Sequence, residues 1–536
     1  MSGPLKRVLA LSCVVTLTTA LGSVEVGRGD LLAAEPDTAP AKIAAQANSD
    51  FAFDLYRQLA KENERENLFF SPYSVFGAVA MTAEGAREET AAEMGTVLRF
   101  PEAARNAGGD ARQAPWETSL IHIGMSELNE RLMGGKDPAE TAAVRDRIEE
   151  LRPRLAAANA KTQQLLKDRK WQEYRAAQQR ENEIAAILAK LSVQVDQYEI
   201  RVANALWGEQ TYPLHPDYMK TISKHYQTGG MFPVDFRNAF EQARLRINSW
   251  VEKQTNDRIR DLIPPGALDE YTRLVLTNAI YFKGEWAMPF VEAETKPRDF
   301  TLADGTTRST PIMHAPNLKV ARYAAFNADG SYFDTPMRIG NAQDPKQHYP
   351  NADGFAMVEL PYKGDDLSMI LIAPNAAIGL SVIEKQLTPE NLNAWIGQLK
   401  KRETHVYLPK FKLETKYTLG DAESLGSLQR MGMVRAFRDP RSPETGAQFY
   451  GMTTSTDPND RLYISKVFHK AFIEVNEKGT EAAAATAVVM AMLASFDVDV
   501  PFIPEFRADR PFLFLVRDTR SGSLLFLGRM TSPPAA

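Results

Sequence analysis

The chain has 536 residues, 44% hydrophobic and 24% charged, so it can bury a large core and is not disordered throughout. A net charge of -5 gives no electrostatic reason to expect nucleic acid as the main partner. A single cysteine excludes a disulfide scaffold, a zinc cluster and an iron–sulfur site.

Lys6 and Arg7 precede a mostly apolar run from Val8 to Val24, the charged start and short greasy core of a secretory signal peptide. The run is marginal against the ~20 apolar residues of a membrane span, and no second such run follows. Residues 1–34 are therefore expected to be a leader, cut shortly after 20–22 or near 33–34, that carries Cys13 away. The mature protein is expected to be secreted (extracellular or periplasmic), soluble, monomeric and not membrane-bound.

Phe51, Leu55 and Leu59 share one helical face. In Asn67-Leu-Phe-Phe-Ser-Pro-Tyr-Ser74, Ser71 is a capping hydroxyl and Pro72 occupies the first helical position. The apolar run 75–81 behind that cap predicts a buried helix, and another helix fits 87–98.

Residues 101–198 differ in composition. Glycine and proline are dense near 108–115, and 137–199 carries eleven acidic and eleven basic side chains. Ile148, Leu151 and Leu155, then Ile184, Ile187, Leu188 and Leu191, form apolar stripes at helical spacing. They predict a long solvated helix or helical hairpin laced with ion pairs. A partner-binding coiled coil is the alternative, opposed by Pro153 and the short heptad runs.

Beyond residue 199, strands are expected over 201–207, 274–282, 357–360, 369–373, 405–411, 468–475, 512–516 and 524–527. Helices fit 239–254, 381–399 and 425–431. Strands and helices out of strict alternation predict an α+β fold with a mainly antiparallel sheet.

Catalytic signatures are missing. There is no Gly-x-Ser-x-Gly elbow, no phosphate loop and no His-Glu-x-x-His pair. The seven histidines are scattered, so no metal site and no cofactor is expected, and the chain does not read as an enzyme.

The informative stretch is Glu474-Val-Asn-Glu-Lys-Gly-Thr-Glu-Ala-Ala-Ala-Ala-Thr-Ala-Val-Val-Met-Ala-Met-Leu-Ala-Ser-Phe496. Alone, 482–494 would suit a buried helix. Gly479 breaks the backbone just before it, however, and no polar stripe interrupts it. Read as a strand, it places Thr480, Ala482, Ala484, Thr486 and Val488 on one face and Glu481 towards solvent. Such small or β-branched side chains would let it slide into a packed sheet.

With this segment the chain resembles the serpin family. The resemblance is carried by residues 67–74, Thr277-Asn-Ala-Ile-Tyr-Phe-Lys-Gly-Glu-Trp286, Glu359-Leu-Pro-Tyr362, Ser465-Lys-Val-Phe-His-Lys-Ala-Phe472, the stretch above and Asp509-Arg-Pro-Phe-Leu-Phe514. It covers 45–536, with residues 101–198 as a helical insertion and an extra polar stretch around 324–353 as a second departure.

The resemblance implies three β-sheets, about nine helices and an exposed reactive-centre loop that a target serine protease attacks as a substrate. The cut loop then inserts into the central sheet and carries the covalently attached acyl enzyme with it. By the family pattern the hinge comprises Glu477, Gly479, Thr480, Glu481, Ala482, Ala483, Ala484, Ala485 and Thr486. The reactive bond is Leu493–Ala494, fourteen positions after Gly479. Ser71, Ser74, Asn278 and His469 match the region where the sheet opens, and Trp286 the place where insertion begins. The implied target is chymotrypsin-, elastase- or subtilisin-like. The alternative is a non-inhibitory serpin-like binding protein whose 137–191 segment recruits a protein partner.

Overall fold

The computed structural model describes residues 38–534, apart from 107–114, 134–137, 169, 193–197, 227–229, 341–343, 443, 456, 458–460 and 481–498. The expected leader and most of the expected loop lie outside the described residues.

Thr38 accepts the Ala41 amide and Pro40 occupies the first turn, which starts α1 (Ala39–Glu62). Its predicted face, Phe51, Leu55 and Leu59, is buried. After β1 (Leu68–Phe70), the Ser71 hydroxyl accepts the Ser74 amide at 3.1 Å and Pro72 opens α2 (Pro72–Ala83), all of whose residues are buried. Next come α3 (Glu88–Val97), α4 (Ser119–Met133), α5 (Pro138–Lys167) and α6 (Trp171–Ser192).

The stretch 101–198 is of two kinds. Helix α4 packs on α1 and sends Ile121, Met125, Leu128 and Leu132 into the main core. By contrast, α5 and α6 pair as a hairpin around a separate small core of Ile148, Leu151 and Leu188. Its surface carries ion pairs such as Arg154–Glu150 at 3.1 Å.

The remaining elements are β2 (Tyr198–Glu209), α7 (Pro216–His225), β3 (Gly230–Val234), α8 (Phe236–Gln254), β4 (Leu274–Glu285), β5 (Lys296–Thr301), β6 (Thr307–Leu318) and β7 (Arg322–Phe326). They continue with β8 (Tyr332–Phe333), β9 (Arg338–Gly340), β10 (Phe355–Pro361), β11 (Leu367–Pro374), α9 (Leu380–Gln386), α10 (Pro389–Gln398), β12 (Lys400–Lys401) and β13 (Thr404–Pro409). The last are β14 (Phe411–Asp421), α11 (Ser427–Arg430), β15 (Ile464–Val475), β16 (Gly479–Thr480), β17 (Asp499–Pro501), β18 (Glu505–Arg507), β19 (Phe512–Asp518) and β20 (Leu524–Met530).

Three main sheets form: eight strands ordered β1-β20-β19-β11-β10-β7-β12 with β8 on β7, four ordered β18-β13-β6-β5, and six ordered β14-β15-β4-β2-β3 with β16 on β4. A two-stranded ribbon, β9–β17, stands apart from them. Eleven α-helices lie among the described residues, two of them in the hairpin.

Two elements differ from the sequence expectation. The helix expected over 381–399 is two helices, because Pro389 cannot continue a ladder and Thr388 caps the second by accepting the Asn391 amide at 3.2 Å. The strand expected over 405–411 is also two. Pro409 ends β13 in the four-stranded sheet, and Phe411 begins β14 in the six-stranded one.

At its centre the six-stranded sheet is buried on both faces. Leu276, Ile280 and Phe282 of β4 join the main core, while Val275, Ala279 and Tyr281 join a second core beneath α8. That explains a nearly unbroken apolar β4, within which Thr277 and Asn278 are the conspicuous exceptions.

Candidate functional site: a fork between two parallel strands

Every pairing of the six-stranded sheet along β14-β15-β4-β2 is antiparallel except one. Strands β4 and β15 run parallel and pair from Leu274/Ile464 to Tyr281/Phe472. Beyond Tyr281 the two strands part, and β15 goes on pairing with β14 alone to Val475. The chain then reverses in a tight turn: Asn476 and Gly479 exchange backbone hydrogen bonds of 2.9 and 3.2 Å. It re-enters the fork as β16, with Gly479 opposite Glu285 and Thr480 opposite Gly284, antiparallel to β4.

Gly479 is required here by two constraints. Its φ is +142°, and a Cβ at this position would lie 2.2 Å from the Gly284 carbonyl oxygen. Around it, the Trp286 amide donates to the Lys478 carbonyl at 3.0 Å and the Phe290 amide to the Glu477 carbonyl at 2.7 Å. The buried Trp286 indole N–H donates to the Asn476 carbonyl at 3.0 Å, and its ring stacks on Tyr362. Glu477 is buried and pairs with Lys410 at 3.1 Å. Burial pushes its carboxyl up, but backbone, Thr295 and Lys410 contacts outweigh this and leave it below the ordinary value. The turn thus has a tryptophan below it, a salt bridge beside it and a backbone rung ahead of it.

Halfway down the seam lies a buried polar row. Asn204, Asn278, His469 and Tyr417 are successive cross-strand partners on β2, β4, β15 and β14. From α2, the Ser74 hydroxyl donates to Asn204 Oδ1 at 2.8 Å and accepts from Asn278 Nδ2 at 2.7 Å. Asn204 Nδ2 donates to the Ser74 carbonyl at 2.9 Å, and the Ser71 hydroxyl to the Leu525 carbonyl at 2.7 Å. His469 Nε2 accepts the Ser71 amide at 3.1 Å, and its Nδ1 meets Asn278 Oδ1. Because Nε2 accepts, the proton sits on Nδ1 and the imidazole is neutral. Burial pushes its pKa down to about 3, and burial also pushes the neighbouring Tyr417 phenol up to about 12. A fully satisfied row of this kind holds β4 and β15 together, since each buried group left without a partner costs ~1–3 kcal/mol.

The structure therefore brings Ser71, Ser74, Asn278 and His469 into one network and Glu477, Gly479, Thr480 and Trp286 into another, both on the β4–β15 seam. Glu481, Ala482, Ala483, Ala484, Ala485, Thr486, Leu493 and Ala494 lie outside the described residues. Sequence reasoning missed Asn204. Its signal was available: an amide inside the apolar run Val202-Ala-Asn-Ala-Leu-Trp207 of a strand covered on both faces must have a buried partner.

Among the described residues no cluster of three or more His, Cys, Asp or Glu side chains is placed to hold a metal, and no helix is long and apolar enough to cross a membrane. Rings of His122 and His225, and of His314 and His405, do stack at 6.2 and 6.0 Å, a closeness the scattered sequence positions conceal.

The family model described as "Serpin (serine protease inhibitor)" matches residues 46–145 and 154–533. Serpin B4 of Homo sapiens is 34% identical over 491 residues, covering 91% of this chain and 99% of that protein. Leukocyte elastase inhibitor A of Rattus norvegicus is 31% identical over 495 residues, with 91% and 99% covered. Among solved structures, human thyroxine-binding globulin aligns with a TM-score of 0.64 at 24% identity, over 93% of this chain and 100% of that one, a likeness of fold. The fold, the parallel seam and these matches agree: the chain belongs to the serpin family.

Proposed function

We propose that this serpin is an irreversible, suicide-substrate inhibitor of chymotrypsin-, elastase- or subtilisin-like serine proteases, and is not itself an enzyme. One observation carries the reading: Gly479 and Thr480 pair antiparallel with β4 at the head of the parallel β4–β15 seam. An inserting strand continues from that rung. It replaces one parallel ladder with two antiparallel ones, and parallel pairing is slightly the less stable per residue. Six of the seven hinge residues 480–486 are Thr or Ala, small enough to enter a sheet with apolar cores on both faces, and Glu481 is the exception.

In this reading the protease's serine attacks the Leu493 carbonyl, forms an ester and releases the Ala494 amine. The freed hinge then descends between β4 and β15 and draws the acyl enzyme with it. Distortion of the protease's oxyanion hole leaves deacylation stalled. Trp286, Glu477 and Lys410 set where the strand enters. Ser71, Ser74, Asn204, Asn278 and His469 set what must part for it to pass. A leader over 1–34 would deliver the product outside the cytoplasm, which N-terminal sequencing of exported protein checks.

The test is incubation with chymotrypsin and denaturing electrophoresis. A complex that survives SDS is the expected result. Cleavage without a complex would instead support the second reading, a non-inhibitory binding protein. That reading draws on the α5–α6 hairpin, which has its own core and could present its charged surface to a protein partner.

A further inference from the structure

We infer that residues 335–340 and 348–349, within the extra stretch around 324–353, clamp the downstream end of the reactive loop, with Arg402 and Phe502 as positioning residues, and that this clamp sets how long the uncleaved protein stays active. This rests on the insertion reading above.

The extra stretch meets the chain just beyond residue 498 at several points. Strand β17 pairs with β9, Asp499 opposite Gly340 and Pro501 opposite Arg338. The Phe502 amide donates to the Met337 carbonyl at 3.0 Å. Its buried ring lies 5.6 Å from His348 and 5.5 Å from Tyr349. The Tyr349 hydroxyl accepts the Glu505 amide at 2.8 Å, at the start of edge strand β18.

Arg402 joins the two segments. Its buried guanidinium donates to the Phe502 carbonyl at 2.7 Å, the Pro336 carbonyl at 2.9 Å and the Thr335 carbonyl at 3.1 Å, and lies 5.9 Å from the Phe502 ring. All three of these acceptors are backbone carbonyls. A buried cation spent wholly on tying two loops together is costly unless every contact is kept.

Chain length makes the clamp consequential. An uncut strand laid from Gly479 to Leu493 spans about 46–48 Å, and the chain must then return the same distance. With 499 onward held, only the five residues 494–498 separate Leu493 from the held chain, at most about 17 Å. Releasing the chain back to Phe512, where β19 begins, frees eighteen residues, or about 60 Å. Uncut insertion therefore requires Phe502 to leave its nest, whereas after cleavage at Leu493 the inserting end is free and the clamp is irrelevant.

The test uses the full chain and its Arg402→Met, Phe502→Ala and Tyr349→Phe variants; the last removes a single oxygen and guards against misfolding. Fresh variants should form SDS-stable chymotrypsin complexes as the parent does. On standing without protease they should lose that capacity about ten- to a hundredfold faster, the effect of one lost charge-assisted bond or of comparable packing, with Tyr349→Phe at the low end. Their mass should stay intact while their melting temperature rises, whereas simple destabilisation would lower it. Hydrogen exchange at the Phe502 and Glu505 amides supplies an arm independent of inhibition and should speed up. Unchanged exchange together with parental decay rates would overturn the clamp. If the parent forms no complex but exchange and uncut conversion both accelerate, the clamp stands and the inhibitory reading falls.

Discussion

The backbone amide of Ser71 donates to Nε2 of His469 at 3.1 Å, so the N-terminus of α2 holds the histidine of β15 in its neutral form with the proton on Nδ1. The proton needed to charge this ring would have to displace that amide in a fully buried place. The native pKa of about 3 lies well below the ~6.5 of an unfolded histidine. Below pH ~6.5 the unfolded chain takes up a proton that the native chain refuses, so stability falls as pH drops towards 3, by ~1.4 kcal/mol per pH unit from this residue. Denaturant unfolding at pH 7.5, 5.5 and 4.5 should show the loss, and His469→Gln should flatten that part of the profile. Parallel profiles for the two proteins would remove His469 as the cause.

Gly479→Val should displace the first rung of β16. A Cβ would meet the Gly284 carbonyl oxygen, and a β-branched residue at φ +142° adds backbone strain of ~1–3 kcal/mol. The expected outcome is faster exchange of the residue 480 amide and a shift from trapped complex to simple cleavage.

Thr480→Arg should turn the inhibitor into a substrate. Position 480 enters between strands of a sheet with apolar cores on both faces, and a guanidinium brought there without a partner is costly to bury. Chymotrypsin should still cut the loop. Full complex formation by this variant would sink the insertion mechanism.

Replacing 137–191 by a short glycine-rich linker should leave inhibition intact. The α5–α6 hairpin is held by its own apolar core, whereas α4 before it is part of the main one and must stay. A folded deletion that no longer traps chymotrypsin would place the hairpin inside the mechanism.

The bond cut on complex formation should be Leu493–Ala494. A cut after Phe496 would add three residues, about 10 Å of slack, and the acyl enzyme would be less tightly distorted. Mass spectrometry of the released fragment decides it: its N-terminus should be Ala494, and Asp497 would show the assignment wrong.

Several features were determined by the sequence alone because their causes are local. Ser71 and Pro72 start α2 through a hydroxyl and a ring that act within one turn. The apolar run of β4 announces burial on both faces. Pro389, which splits α9 from α10, and Pro409, which ends β13, carried the same kind of local signal in their missing N–H, yet the apolar spacing around them read as one helix and one strand.

Tertiary structure decided what depends on register. Asn204, Asn278, His469 and Tyr417 form one row only because four strands pair with those residues opposite one another, and a slip of one position would send each side chain to the other face. Whether α4 belonged to the core or to the insertion turned on the α1 surface it meets. The nest of Arg402, Phe502 and Tyr349 joins segments far apart in the chain through backbone carbonyls and amides. Every residue carries the carbonyl and all but proline the amide, so the side-chain pattern of those segments does not announce where they meet.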